Sequence, residues 1–119
     1  MVKFSANLGF LWADIPLPAA ILAAKSAGFD AVECHWPYDT AATEIVKALD
    51  DTGLAMLGIN TFKGDDKGGG FGLSAVPGQQ AAARLAIDQA IFFAAQIGAE
   101  AVHVMAGKAA GAGAKTVFE

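Results

Sequence analysis

One phrase recurs three times along the chain and limits what it can fold into: a helical stretch, a small residue with glycine, then a short β-rich run. It occurs at Ala27-Gly28-Phe29, Thr52-Gly53-Leu54 and Ile97-Gly98-Ala99. Each glycine suits the left-handed position that ends a helix. The runs that follow are 31–36, 55–60 and 101–105, and residues 2–8 supply an earlier strand with no helix before it. The expected order is therefore β-α-β-α-β-α-β. Strands separated by helices pair in parallel through crossover connections, so the class is α/β.

The helices have ordinary signals. The first is expected to open near Asp14, with Pro16 and Pro18 in or before its first turn, and to run to Ala27. The second runs from Thr40 to about Asp51, capped by Asp39 or Thr40, with Ile45, Ala48 and Leu49 as its apolar stripe. The third runs from Pro77 or Gly78 to Ile97 and carries Leu85, Ile87, Ile91 and Ala94-Ala95 toward the core.

Two architectures satisfy this order, an open doubly wound sheet and a closed eight-stranded barrel. With 119 residues as one domain, length favours the open sheet, since a whole barrel takes about 250 residues. Strand parity favours the barrel. Successive side chains along a strand point to opposite faces. Counting sets Phe4, Ala6 and Leu8 against Lys3, Ser5 and Asn7, and Val32, Cys34 and Trp36 against Ala31, Glu33 and His35. It sets Ala55, Leu57 and Ile59 against Met56, Gly58 and Asn60, and Val102 and Val104 against Ala101, His103 and Met105. One face is apolar throughout, while the other carries Asn7, Glu33 with His35, Asn60 and His103 at or near the strands' C-terminal ends. An open sheet covered by helices on both sides is apolar on both faces. A barrel directs one face to its helices and the other into a lumen whose C-terminal mouth holds the functional site.

Asn7, Glu33, Asn60 and His103 are accordingly the candidate substrate-binding residues. Singly, each has a plainer reading: a structural acid, a satisfied core histidine, or asparagines that end strands. Their occurrence together at one end shifts the balance. His35 is set aside as a rim residue. The segment KGDDKGGGFG, Lys63 to Gly72, follows the third strand and reads as a loop over the mouth, a lid on a small substrate. Its glycines lack the Lys-Ser/Thr ending of a phosphate-binding loop.

Composition excludes several classes. A net charge of −4 with eight scattered basic residues leaves no footprint for nucleic acid. Hydrophobic residues make up 55% of the chain, enough for a buried core. No span reaches the ~20 apolar residues of a membrane helix, and residues 1–12 lack the pattern of a secretory signal. The single cysteine, Cys34, forms no internal disulfide and reads as a small buried hydrophobe. The expected setting is cytoplasmic.

The stretches SANLGFLW (Ser5 to Trp12), AGFDAVECHWPYD (Ala27 to Asp39), GIN (Gly58 to Asn60), GLSAVPG (Gly72 to Gly78) and HVMAG (His103 to Gly107) resemble the hydroxypyruvate isomerase family. That family belongs to the xylose-isomerase-like barrel superfamily, with sugar epimerases and endonuclease IV. The resemblance spans nearly the whole chain and implies the N-terminal half of a (β/α)₈ barrel, stopping before the fifth strand. It implies a small-molecule sugar acid as substrate, either hydroxypyruvate interconverted with tartronate semialdehyde or, as in close relatives, 2-oxo-tetronate. It places the two catalytic glutamates, and a divalent Mg or Mn held by carboxylates, after Glu119; this chain supplies no cofactor site of its own. The family's arginines flanking the lid motif are replaced by Phe71 and Gln79, which points to a different sugar acid or to another small sugar. Half a barrel would also expose sheet edges and a lumen face, so self-association or pairing with a C-terminal half is expected. On that view the chain is a non-catalytic assembly module.

Overall fold

A computed structural model describes residues 2–64 and 71–108. Its elements are β1 (Ser5–Asn7), α1 (Leu17–Ser26), β2 (Ala31–Glu33), a 3₁₀ turn (Pro37–Asp39), α2 (Ala42–Thr52), β3 (Ala55–Met56), β4 (Ile59–Asn60), α3 (Gln80–Ile97) and β5 (Val102–His103). Every strand pair is parallel. Asn7 stands opposite Glu33, Val32 opposite Met56, and Asn60 opposite His103.

β3 and β4 are two parts of one path. Leu57 N–H donates to Val32 and Asn60 N–H to His35 on one side, while Glu100 donates to Met56 and Ile59 N–H to Ala101 on the other. Residues 55–60 therefore run between β2 and β5, and the order across the wall is β1, β2, β3/β4, β5.

The two faces of this wall differ as parity predicts for a barrel. Ala6, Leu8, Val32, Cys34, Met56 and Ile59 are buried beneath the helices with Ile21, Ile45, Leu49 and Ile97. On the other face Ser5, Ala55, Ala101 and His103 are exposed and Asn7 and Glu33 half-buried, so no described helix covers it. Gly53 and Gly98 end α2 and α3 in the left-handed conformation, at φ of 72° in each case, as the recurring phrase requires.

Several details depart from the sequence reading. α1 starts at Leu17, after a turn through residues 8–15 stabilised by Phe10 and Leu11 N–H bonds to the Asn7 carbonyl. α2 takes Ala41, not Asp39 or Thr40, as its N-cap, with no side-chain cap, because Pro37–Asp39 forms its own 3₁₀ turn ending at Thr40. In α3 the buried stripe is Ala83, Ala86, Ala90, Ala94 and Ile97, while Leu85 and Ile91 face outward. Small side chains let α3 approach the sheet closely, which turns its larger residues away. The third path also slips in phase: Met56 and Ile59 are both buried, an odd spacing that the break at Leu57-Gly58 between β3 and β4 absorbs. Leu57 is thereby turned to the open face, and Asn60 keeps its expected side. Phe4 and Val104, placed by parity on the apolar face, are largely exposed.

Candidate functional site

The four sequence candidates meet in one cleft of about 520 Å³ on the open face, lined by Asn7, Glu33, His35, Leu57, Gly58, Asn60 and His103 among others. Parallel register brings them together, since the pairs that stand opposite in the ladder are also the pairs whose side chains meet.

Asn7 ends β1. Its Oδ1 accepts the Gly9 N–H at 2.9 Å, an Asx turn that reverses the chain, and its Nδ2 donates to Glu33 Oε1 at 3.3 Å. One oxygen of the Glu33 carboxylate is thus held by a neutral amide, and Glu33 lines the cleft. On the neighbouring strands His103 Nδ1 lies 3.3 Å from Asn60 Oδ1, so the protonated Nδ1 tautomer can donate there and leave Nε2 for a ligand. The backbone of Asn60 is fixed as well: the Tyr38 hydroxyl donates to its carbonyl.

His35, set aside on sequence, is part of this wall. Gly9 makes room for its ring; a Cβ at Gly9 would come within 2.2 Å of it. Phe10 meets the ring edge-on at 5.0 Å between centroids, and Trp36 packs against it at 5.2 Å. Its parity with Glu33 was the available signal.

Cys34 is buried within the cleft wall. Burial, and secondarily the Glu33 carboxylate, push its thiol up to about 12. A thiol so raised is protonated at neutral pH and serves as packing, in line with its sequence reading. Burial likewise pushes the Tyr38 phenol up to about 12, which keeps it a donor to Asn60.

Of the lid segment, residues 65–70 fall outside the described ones, while its two ends are seen together. Gly72 N–H donates to the Lys63 carbonyl at 2.7 Å. Gly72 also pairs with Ala106, and only glycine fits there: its φ is 115° and a Cβ would strike the Met105 carbonyl at 2.3 Å. A larger groove, about 710 Å³, lies between 72–79 and α3, and among the described residues no ionisable side chain lines it. Among the described residues no three His, Cys, Asp or Glu side chains converge as a metal centre requires, so Glu33 and the two histidines do not by themselves fit the divalent ion that the resemblance implies. No described helix is long and apolar enough to cross a membrane.

A parallel strand-helix wall, with helices on one side and polar groups gathered at the strands' C-terminal ends on the other, defines an α/β chain of the TIM-barrel kind. The model of the xylose isomerase-like TIM barrel family matches residues 21–119, and the chain belongs to that family. A human relative, provisionally named hydroxypyruvate isomerase, is 44% identical over 108 residues, covering 90% of this chain and 39% of the relative. The 2-oxo-tetronate isomerase of Haemophilus influenzae is 41% identical over 105 residues, covering 88% of this chain and 41% of its own length. A crystal structure from Brucella melitensis, described as an AP endonuclease of family 2, superposes with a TM-score of 0.87 at 29% identity, covering 99% of this chain and 47% of that one. The chain thus spans about two fifths of the length of these curated relatives.

Proposed function

We propose that this chain forms the substrate-holding wall of a sugar-acid isomerase that interconverts hydroxypyruvate and tartronate semialdehyde. The observation that carries the reading is the meeting of Asn7 with Glu33 and of Asn60 with His103 around one cleft at the C-terminal mouth. The isomerase names of relatives that match nine tenths of the chain support it.

The reaction removes a proton from the hydroxymethyl carbon of hydroxypyruvate and returns one to the adjacent carbonyl carbon. Between the two steps charge builds on the oxygens of an enediolate, which needs hydrogen-bond donors already in place. His103 and the Asn60 amide supply donors on one wall. Asn7 holds Glu33 at the other, where its free oxygen accepts a substrate hydroxyl. The proton-transferring carboxylates, and any divalent ion they hold, belong to strands beyond Glu119.

A second reading, isomerisation of 2-oxo-tetronate, is favoured by the 2-oxo-tetronate isomerases among the relatives and differs by one additional carbon. The test is turnover by the protein as encoded over its whole length, with and without Mg²⁺ or Mn²⁺, on hydroxypyruvate, 2-oxo-tetronate and neutral ketoses. Solvent deuterium entering the carbon next to the carbonyl is the expected result. Turnover of a neutral ketose with none of hydroxypyruvate rejects the first reading.

A further inference from the structure

A sugar acid brings a carboxylate into a cleft that already holds the Glu33 carboxylate, so its binding requires a cation nearby. The described cations are few and most stand elsewhere. Lys3 precedes β1 and Lys25 lies in the last turn of α1, both at the opposite end of the wall; Lys47 on α2 is bonded to Asp51 at 2.7 Å, Arg84 is exposed on α3, and Lys108 is exposed five residues after His103.

Lys63 differs. It follows Asn60 by three residues, where the chain leaves β4 at the mouth. Its ammonium sits 4.8 Å from the centroid of the Trp36 ring and 5.7 Å from that of Phe71, the two rings being 5.8 Å apart. The shelf is fixed from below, because Trp36 Nε1–H donates to the Thr61 carbonyl at 3.0 Å. Lys63 is fixed too, by the bond from Gly72 N–H to its carbonyl. Trp36 also packs against His35, at 5.2 Å between ring centroids, and His35 lines the cleft, so two ring contacts link the ammonium to the cleft wall. A cation over aromatic faces is partly desolvated and orientated at little entropic cost, yet it exchanges the ring for a carboxylate without breaking a salt bridge.

We infer that Lys63, seated on Trp36 and Phe71, is the carboxylate-recognising residue of this cleft and restricts its substrates to sugar acids. The inference rests on the isomerase reading and deepens it by assigning a specificity residue.

The experiment compares the whole encoded protein with Lys63→Gln and Lys63→Arg. Steady-state kinetics are measured on hydroxypyruvate and on dihydroxyacetone as a neutral counterpart, and tartronate binding is followed by tryptophan emission. The expected result for Lys63→Gln is a rise in KM for hydroxypyruvate of about tenfold or more with kcat within about twofold. Tartronate binding weakens in parallel, the neutral substrate is unaffected, and Lys63→Arg recovers most of the loss. An unchanged KM in Lys63→Gln overturns the inference and leaves the isomerase reading standing. If the unaltered protein turns over no sugar acid, the isomerase reading fails and tartronate decides alone. Binding that is lost in Lys63→Gln sustains the role of Lys63; equal binding in both, or none in either, overturns it.

Discussion

Asn7 and Glu33 face each other across the β1–β2 register, and the asparagine amide nitrogen donates to the glutamate carboxylate at 3.3 Å. The same asparagine closes the turn to Gly9 through its other side-chain atom. One residue therefore both orientates the acid of the cleft and shapes the loop that carries Gly9 and Phe10 against His35.

Replacing Asn7 by alanine removes both bonds and leaves the half-buried carboxylate without its amide partner. The expected loss is about 1–3 kcal/mol in unfolding free energy, measured by urea denaturation, with a fall in turnover of the whole protein. An Asn7→Ala variant as stable as the parent would show that neither bond contributes.

Gly9→Ala places a methyl group against the His35 ring, at 2.2 Å in the unrelaxed geometry, and Phe10 and Trp36 limit where that ring can go. Overpacking of this kind costs about 1–3 kcal/mol. The double variant Gly9→Ala/His35→Ala recovers much of that cost, and a double-mutant cycle of denaturation midpoints measures the coupling. Strict additivity would contradict the contact.

Cys34 and Tyr38 set an alkaline limit on stability. Both side chains are neutral when protonated, and the fold raises them to about 12 from ordinary values of 9.0 and 10.0. The unfolded chain thus releases these protons at lower pH than the folded one, so stability is full below pH 9 and falls as pH rises from 9 towards 12. The steepest slope expected from one such group is about 1.4 kcal/mol per pH unit. In Cys34→Ala the decline begins a pH unit later, and native Cys34 resists alkylation at pH 8 while the urea-unfolded chain reacts. Rapid alkylation of the folded chain would contradict the burial.

Leu85 and Phe92 lie two turns apart on the outer face of α3, 71% and 68% exposed, and among the described residues no layer covers the lumen face of the wall. Exposed apolar surface of this kind drives association. We expect the 119-residue chain, expressed by itself, to sediment as dimers or larger species at micromolar concentration, and Leu85→Glu/Phe92→Glu to shift it toward monomer. A stable monomer in sedimentation would count against an exposed half wall and against the assembly-module reading.

Much of the fold and of the cleft was legible in residue order. Glycine after each helix is a local requirement of a left-handed backbone, so Gly28, Gly53 and Gly98 marked the helix-to-strand transitions without any knowledge of packing. Alternation along a strand is equally local, and it assigned Asn7, Glu33, Asn60 and His103 to one face. What escaped was set by contacts between segments distant in the chain. Met56 and Ile59 share a face only because the path between β2 and β5 breaks at Leu57-Gly58 to pair with both neighbours. Leu85 and Ile91 turned outward because an alanine stripe permits α3 to lie nearer the sheet. His35 joined the cleft because Gly9, 26 residues earlier, leaves room for its ring, and Lys63 reached Trp36 through the fold of the segment after β4. Periodicity and turn chemistry act over a few residues and were determined by the sequence alone; which long side chain rests on which distant ring depends on packing, and only the tertiary structure decided it.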